Sequence, residues 1–302
     1  MKHFRKIYYC FLFLFVFFNS VKAQYVYNFS SHNFLQFNPA YAGQDTSHCF
    51  FLGAELDSKL LTSDYERPWV PPYTIQLSYA GNFKKFKSGL AAIGSISHLG
   101  VENVYDVNAS YNYNYIVNEN SNLRTGFNFH ERVVHLDPSL FIFNNIGDYD
   151  LSVIKQSSFN FDLGLWYALK KFNVGFSVHN ILSKKNIQLG SSLNEKEINA
   201  IISYEFLIAG PVVTKPAIIF QNFGGSYSTY LLTNTFLFNN TFILGLEYML
   251  LPRSDNLDGP LYVEAGGKAG KQVQIMLGYS NMLKGKSYYS DRISAMVKVN
   301  LY

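Results

Sequence analysis

The sequence predicts an all-β protein, namely a transmembrane, antiparallel outer-membrane β-barrel of about 14 strands with a short N-terminal plug or lead-in segment. From about residue 49 to residue 302, apolar and polar side chains alternate in runs of roughly ten residues. A secretion signal precedes these runs, and the connections between them sort by length. Together these observations indicate a barrel with an apolar outer face against lipid and a polar inner face.

Residues 1–23 form a predicted signal peptide. Lys2, Arg5 and Lys6 precede a twelve-residue, almost wholly apolar run from Ile7 to Phe18, and Val21-Lys22-Ala23 resembles a cleavage site. A run of this length is too short to span a bilayer as a helix, which takes roughly 20 residues. We therefore expect cleavage near Ala23 and delivery of the remaining chain to the outer membrane.

Loss of this segment leaves the chain electrically neutral. Of 25 basic residues, Lys2, Arg5, Lys6 and Lys22 lie in the signal peptide, whereas none of the 21 acidic residues does, so 21 of each sign remain. A neutral chain gives no reason to expect a nucleic-acid partner. Cys49 is the single remaining cysteine, which excludes an internal disulfide or a thiolate metal cluster. The 17% of aromatic residues suits the aromatic girdles of a membrane barrel.

The barrel is predicted to occupy residues 49–302. Alternation is clearest from Val107 to Tyr115, where odd positions are apolar or aromatic and even positions are polar. The run at 88–98 alternates weakly and Pro216 falls inside another run, so the strand count is given as about fourteen. The predicted strands are residues 49–57, 73–83, 88–98, 103–117, 121–135, 158–170, 171–182, 197–208, 212–221, 227–239, 241–250, 260–270, 271–280 and 290–302.

The connections support the same architecture. Those after even-numbered predicted strands are short, and most of those after odd-numbered strands are long. Outer-membrane barrels have short periplasmic turns and longer outside loops, whereas a soluble sandwich has no reason to sort its loops in this way. The long connections are residues 58–72, 136–157, 183–196, 251–259 and 281–289.

Residues 24–48 precede the first strand and do not alternate cleanly, so they are predicted to form a plug or a periplasmic lead-in. Within them, an asparagine before a proline disfavours helix, the proline fixes its own φ, and a following glycine permits unusual backbone angles. These features favour a rigid turn that caps the barrel or fills its mouth. The motif is Phe37, Asn38, Pro39, Ala40, Tyr41, Ala42 and Gly43.

This motif, placed soon after a signal peptide and before a barrel of this length, resembles the PorP/SprF membrane proteins of the type IX secretion and gliding systems of Bacteroidetes. The resemblance implies a non-enzymatic outer-membrane component, in contact with outer-membrane lipid and type IX translocon subunits, that supports secretion or surface anchoring of a cognate large secreted protein. It also implies that the motif holds the N-terminal segment in place.

Two long loops are candidate surfaces for such a partner, because rings and charges occur together there, as interfaces favour. Plain solvated connections would account for them equally well. The candidate partner-facing residues are Asp64, Tyr65, Glu66, Arg67 and Trp69 in the first loop, and Phe141, Phe143, Asp148, Tyr149 and Asp150 in the second.

Chemical motifs are weak, and we predict no catalytic, cofactor-binding or metal-binding residue. His130 and His135 are an odd number of residues apart, which turns them to opposite faces of a strand. Ser177 and His179 form only a same-face pair. The main alternative function is a FadL-like or porin-like transporter of small solutes, motivated by the polar lumen face, and a lipid-modifying enzyme is a third possibility.

Overall fold

The computed structural model describes residues 29–44, 48–58, 72–99, 102–136, 155–182, 195–224, 227–250, 259–282 and 291–301. The predicted signal peptide and both candidate partner-facing loops lie outside these ranges, and the calls made on them remain predictions. Across the described ranges, no helix has the length and apolar character needed to cross a membrane.

The described residues contain fifteen strands and several short 3-10 turns. The strands are β1 (His48–Asp57), β2 (Tyr73–Phe83), β3 (Ser88–Leu99), β4 (Glu102–Asn118), β5 (Ser121–Leu136), β6 (Lys155–Leu169), β7 (Phe172–His179), β8 (Glu197–Tyr204), β9 (Phe206–Ala209), β10 (Val212–Phe223), β11 (Tyr227–Phe238), β12 (Phe242–Leu250), β13 (Pro260–Ala269), β14 (Val273–Met282) and β15 (Arg292–Leu301).

The sheet closes on itself. Neighbouring strands pair antiparallel in chain order, and β1 pairs with β15 from His48 opposite Leu301 to Asp57 opposite Arg292. β8 and β9 both pair with β10 and share one position in the barrel, because Glu205 interrupts the predicted strand 197–208 and the register of β10 shifts beside β9. The predicted fourteen-strand barrel is confirmed, with this interruption as the one addition.

The two faces of the barrel follow the predicted alternation. Val107 on β4 is 65% exposed on the outside, whereas Asn112 on the same strand is completely buried on the inside. Arg124 and Arg132 both point inward, where Arg132 Nε lies 2.7 Å from Asp106 Oδ1. Both arginines are thus kept away from the outer apolar surface, where charges are costly.

The ends of the barrel also differ as predicted. Tight turns at 84–87, 119–120, 170–171, 210–211, 239–241 and 270–272 lie at one end, called here the short-turn end, and the other end is called the long-loop end. Asn239 and Asn240 have φ of 51° and 56°, the left-handed backbone that tight hairpin turns require. β1 begins and β15 ends at the short-turn end, so the residues before β1 reach the barrel from that end.

Those preceding residues lie inside the barrel. Residues 29–44, called here the inner segment, contain 3-10 turns at Ser30–His32, Phe34–Gln36 and Pro39–Tyr41. All three clusters of buried apolar side chains in the described structure combine residues of this segment with residues of the wall. The core therefore sits between the inner segment and the barrel rather than between two sheets.

Candidate functional site: the seat of the inner segment

The inner segment follows the inside of the wall against the order of the strands. Its first described residue, Phe29, donates its backbone N–H to Glu264 Oε1 on β13 at 2.9 Å. Further along, the Phe37 carbonyl meets β7 and β8, and the Ala42 carbonyl meets β4 and β5. The segment ends beside β2, where Gly43 packs on Gly81. It therefore forms a belt across most of the lumen.

The motif half of the inner segment, residues 37–43, owes its shape to local chemistry. Asn38 is extended, with φ of −154° and ψ of 113°, as a residue before proline prefers. Its Oδ1 accepts the Ala40 backbone N–H at 2.9 Å and caps the turn that Pro39 opens. Gly43 has φ of +61°, and a Cβ there would lie 2.5 Å from the Gly81 carbonyl oxygen. The predicted rigid turn is present, and it packs against the inside of the wall.

The wall beneath the motif half is a single cross-strand row of small or amide-bearing residues. Each member stands directly opposite the next across the strands β3 to β8. Because directly opposed residues share one face of the sheet, the row forms a continuous shallow seat. Its members are Gly89, Asn112, Gly126, Gly164, Ser177 and Asn199.

The glycines of this row let two backbones approach closely. A Cβ on Gly126 would lie 2.5 Å from the Ala40 backbone nitrogen, and a Cβ on Gly164 would collide with Asn38 Oδ1. A Cβ on Gly89 would collide with the Ala42 carbonyl. Any side chain larger than hydrogen at these positions displaces the motif half.

The polar members of the row and its neighbours bind the motif half mainly through its carbonyl groups. Asn112 Nδ2 donates to the Ala40 carbonyl at 3.1 Å and also to the Ala42 carbonyl. Arg124 Nη1 donates to the same Ala42 carbonyl at 3.2 Å. Buried carbonyls need such partners because water is excluded from them. The wall therefore recognises this half largely by its backbone.

Both polar atoms of the Asn38 side chain form hydrogen bonds. It is completely buried, and its Nδ2 donates to the Leu165 carbonyl at 2.9 Å and to the Phe176 carbonyl at 3.2 Å. Leu165 and Phe176 face each other on β6 and β7. With its bond to Ala40, one amide ties the inner segment to two wall strands.

Aromatic rings fill the space on the short-turn side of the row. The Tyr41 ring packs edge-on against Trp166 at 4.8 Å between centroids, and Phe34 lies 5.5 Å from Tyr41 and 5.9 Å from Trp166. Gly175 leaves room for this indole, since a Cβ there would lie 2.5 Å from its Cε3 atom. Lys215 Nζ lies over the Phe34 ring at 5.3 Å. Such ring pairs each contribute about 1 kcal/mol beyond burial.

Three wall side chains converge on the Phe37 carbonyl oxygen. Ser177 Oγ lies 2.5 Å from it, His179 Nε2 2.8 Å and Asn199 Nδ2 3.2 Å. His179 Nε2 also lies 3.0 Å from Ser177 Oγ, and its Nδ1 lies 3.1 Å from Asp162 Oδ2. The connectivity is that of a serine–histidine–aspartate triad, yet the hydroxyl and the Nε2–H both point at the Phe37 carbonyl. In this arrangement the ring is not free to act as a base.

The leading half of the inner segment, residues 29–36, is held differently. His32 Nε2 lies 3.3 Å from Glu264 Oε2, while Asn33 Nδ2 is buried without a hydrogen-bond partner among the described residues. Burial lowers the pKa of His32 to about 4, because Glu247 opposes that effect only in part and Lys298 and Lys215 reinforce it. The ring is therefore neutral at pH 7.

A cavity of about 30 Å³ separates the inner segment from β15, β1 and β2. It is lined in part by Asn33, Tyr41, Gln44, Cys49 and Lys298. This volume exceeds the roughly 15 Å³ that a water molecule needs. The seat therefore leaves room for a water molecule on the β2 side of the row of glycines, and Cys49 lines this space.

The structure brings together some residues that the sequence singled out and separates others. All seven motif residues lie at the seat, whereas His130 points into the lumen and His135 is exposed, as their odd spacing predicts. In the described ranges, no three or more histidine, cysteine, aspartate or glutamate side chains are arranged so that they could hold a metal ion. Sequence reasoning missed Asp162 as the partner of His130 and His179, although its parity on the predicted strand 158–170 already placed it on the inner face.

Comparison with known proteins places the chain in a family and a fold. The sequence profile described as "Type IX secretion system membrane protein PorP/SprF" matches residues 20–301. Among curated proteins, no significant match is found.

Solved structures with the same fold include three outer-membrane proteins. The Acinetobacter baumannii outer membrane protein Omp33 is 8% identical, with a TM-score of 0.50 over 84% of this chain and 98% of that one. A mutant of the TodX monoaromatic hydrocarbon channel is 13% identical, with a TM-score of 0.53 over 91% and 94%. A Pseudomonas aeruginosa FadL homologue is 9% identical, with a TM-score of 0.50 over 88% and 93%. At these identities the likeness concerns the fold alone.

Proposed function

Because the chain belongs to the PorP/SprF family of type IX secretion system membrane proteins, we propose that it supports secretion or surface anchoring of one cognate large secreted protein, without catalysing a reaction. The observation that carries the proposal is the family match over residues 20–301. The barrel contributes a scaffold in the outer membrane, and type IX translocon subunits and lipid are its expected neighbours.

The burial of the motif supports a structural rather than a contact role for it. Asn38, Ala40 and Ala42 have no measurable exposure, so a partner cannot reach them while the inner segment is seated. Contact with the secreted protein is therefore assigned to the long-loop end, and within it to the predicted loops around Trp69 and Asp148. We infer that the motif keeps the lumen filled while these loops meet the partner.

The first test is a pull-down of the tagged protein, extracted in detergent from its native outer membrane, with bound proteins identified by mass spectrometry. Recovery of a large secreted protein with a type IX sorting domain, or of translocon subunits, supports the proposal. Deletion of the gene should also remove that protein from the cell surface. If surface proteins stay in place after deletion, the secretion role is wrong.

Loop variants refine this test. Arg67→Ala with Trp69→Ala, and Asp148→Ala with Tyr149→Ala, are expected to reduce recovery of the secreted protein about tenfold or more, because aromatic and arginine side chains dominate interface energetics. Lys84→Ala with Lys85→Ala is the matched control, since these exposed residues lie in a turn at the opposite end. Equal loss in the control would point to misfolding instead.

A transporter of small solutes is the second candidate, favoured by the polar inner face of the barrel. It predicts solute flux or conductance when the purified barrel is reconstituted in liposomes. If the barrel conducts no solute but binds the secreted protein, the transporter candidate is wrong and the secretion role stands.

Sequencing of the mature N-terminus would test the predicted cleavage near Ala23.

A further inference from the structure

Three wall side chains surround the Phe37 carbonyl oxygen, which has only two lone pairs. Ser177, His179 and Asn199 all place a donor atom between 2.5 and 3.2 Å from that one oxygen. A neutral carbonyl oxygen offers two lone pairs, so it accepts fully from two of these donors, and His179 Nε2 is shared with Ser177 Oγ, 3.0 Å away. The site is better matched to a group with more acceptor positions.

Both nitrogens of the His179 ring face acceptor oxygens. Its Nδ1 faces Asp162 Oδ2 at 3.1 Å, and its Nε2 faces the Phe37 carbonyl. Asp162 Oδ2 also accepts from Asn128 Nδ2 at 2.6 Å, and Asp162 Oδ1 accepts from the Asn180 backbone N–H at 2.8 Å. A carboxylate with this set of donors only accepts, so His179 carries protons on both nitrogens in this arrangement. A cationic ring therefore points at an uncharged oxygen.

We propose that Ser177, His179 and Asn199 form a binding site for a small monocarboxylate, and that the Phe37 carbonyl occupies this site in its absence. A carboxylate has about four acceptor positions and a full negative charge, so it satisfies three donors, one of them cationic, better than an amide does. Carboxylate and inner segment then compete for the same donors. Binding of the ligand releases the motif half from the wall.

Position and charge define the class of ligand. His179 and His130 keep 12% and 13% of their side chains exposed, whereas Ser177 and Asn199 are buried, so the site is accessible at the two rings. Glu197 stands opposite His179 on β8, and Asp162 lies behind it. Two acidic neighbours repel any anion, and they repel the doubly charged phosphate, sulfate and dicarboxylates about twice as strongly as a monocarboxylate. This site goes beyond the proposed secretion role and does not depend on it.

The native thiol reports on this competition. Cys49 is 7% exposed and lines the cavity between the inner segment and β1, next to Tyr41 and Gln44. The full mature chain, purified in detergent, is treated with a maleimide while sodium acetate or sodium benzoate is titrated against sodium chloride at equal ionic strength. We expect a saturable rise in the rate of Cys49 labelling with the carboxylates, and calorimetric heats that saturate at the same concentrations.

Variants separate a binding role from a merely structural one. Ser177→Ala and His179→Gln should both raise labelling without ligand, because each loosens the segment. They should also weaken the acetate response about tenfold or more, since hydrogen bonds to a charged group are the strong ones. Ser203→Ala is the matched control, because Ser203 is buried on the same inner face and bonds Asn173 on the wall.

The outcomes are distinct. Faster labelling in His179→Gln with an unchanged acetate response would show a structural contact and overturn the proposal. So would a wild-type response that does not saturate or that chloride reproduces. Heat-modifiable migration on electrophoresis checks that each variant is a folded barrel, and Asn199→Ala replaces any variant that is not. Loss of the secreted partner leaves this result untouched, so the two proposals fail separately.

Discussion

The two halves of the inner segment are held in the barrel in different ways. The motif half, residues 37–43, lies on a row of glycines and amides that bind its carbonyls, with Asn38 bonded to two wall strands. The leading half, residues 29–36, rests on rings, on the contact of His32 with Glu264, and beside a cavity. A close fit between two backbones tolerates few substitutions, whereas packing between side chains tolerates more. We therefore infer that the motif half anchors the inner segment.

The largest expected effect comes from filling the seat. Gly126→Val adds a Cβ that would lie 2.5 Å from the Ala40 backbone nitrogen. The backbone of the inner segment cannot move aside as a flexible side chain does. Overpacking of this kind costs about 3 kcal/mol or more. Hydrogen exchange followed by mass spectrometry should show the motif half losing protection.

Gly94→Val is the control for this substitution, since a Cβ on Gly94 of β3 meets nothing within 4 Å. Protection of residues 37–43 should stay as in the wild type. If both variants lose protection equally, the close fit at Gly126 does not hold the motif half. The inferred difference between the two halves would then be wrong.

Removal of the Asn38 amide should have the next largest effect. Asn38→Ala deletes three hydrogen bonds and leaves the buried Ala40 N–H without its cap, at a cost of about 3 kcal/mol. Exchange should rise first in residues 37–43. Asn33→Ala provides the comparison within the leading half, where the Nδ2 atom has no described partner, and should change exchange little.

Phe34→Ala tests whether the halves are coupled. Phe34 is 1% exposed and contacts both Tyr41 and Trp166, so truncation should cost about 3 kcal/mol and loosen both halves together. Phe86→Ala, at a ring that is 66% exposed in a turn, is the neutral control. Loosening confined to residues 29–36 would instead show that the motif half is seated independently.

The smallest expected effect is that of pH on the leading half. The pKa of His32 falls from 6.5 in the unfolded chain to about 4 in the barrel, so the unfolded state binds the proton more readily. The contribution of neutral His32 to the free energy of unfolding is complete above about pH 6.5 and is lost as pH falls toward 4. The loss reaches about 1 kcal/mol by pH 5.5. Exchange of residues 29–36 should therefore rise on acidification. His32→Gln should remove that dependence, and a rise that persists in this variant would assign it to another group.

Much of the barrel could be predicted because successive side chains of a strand point to opposite faces, so the sequence of each strand shows which face is apolar. The run from Val107 to Tyr115 needs no partner to show which side is apolar, and the loop lengths reveal the two ends. The break at Glu205 escaped prediction, since a single residue between β8 and β9 leaves no pattern and the register shift lies in β10. Local periodicity carries no information on pairing irregularities.

The candidate site was predictable only in part. The backbone preferences of Pro39 and Gly43 predict a rigid turn. The spacing of Ser177 and His179 predicts that both lie on the same face of a strand. Gly126, Gly164 and Asn112 are ordinary residues in their own strands, and nothing local sets them apart. Their common role arises from register, which aligns positions up to 110 residues apart in the sequence, from Gly89 to Asn199, in one row.

The amino-acid sequence alone therefore determined the strands, the polarity of each face and the turn in the motif, because each depends on neighbours a few residues away. Only the tertiary structure decided that the motif lies inside the barrel, that glycines form its seat and that Ser177, His179 and Asn199 meet at one carbonyl. These features depend on closure of the sheet, which brings distant strands into fixed register around a segment that no local pattern places.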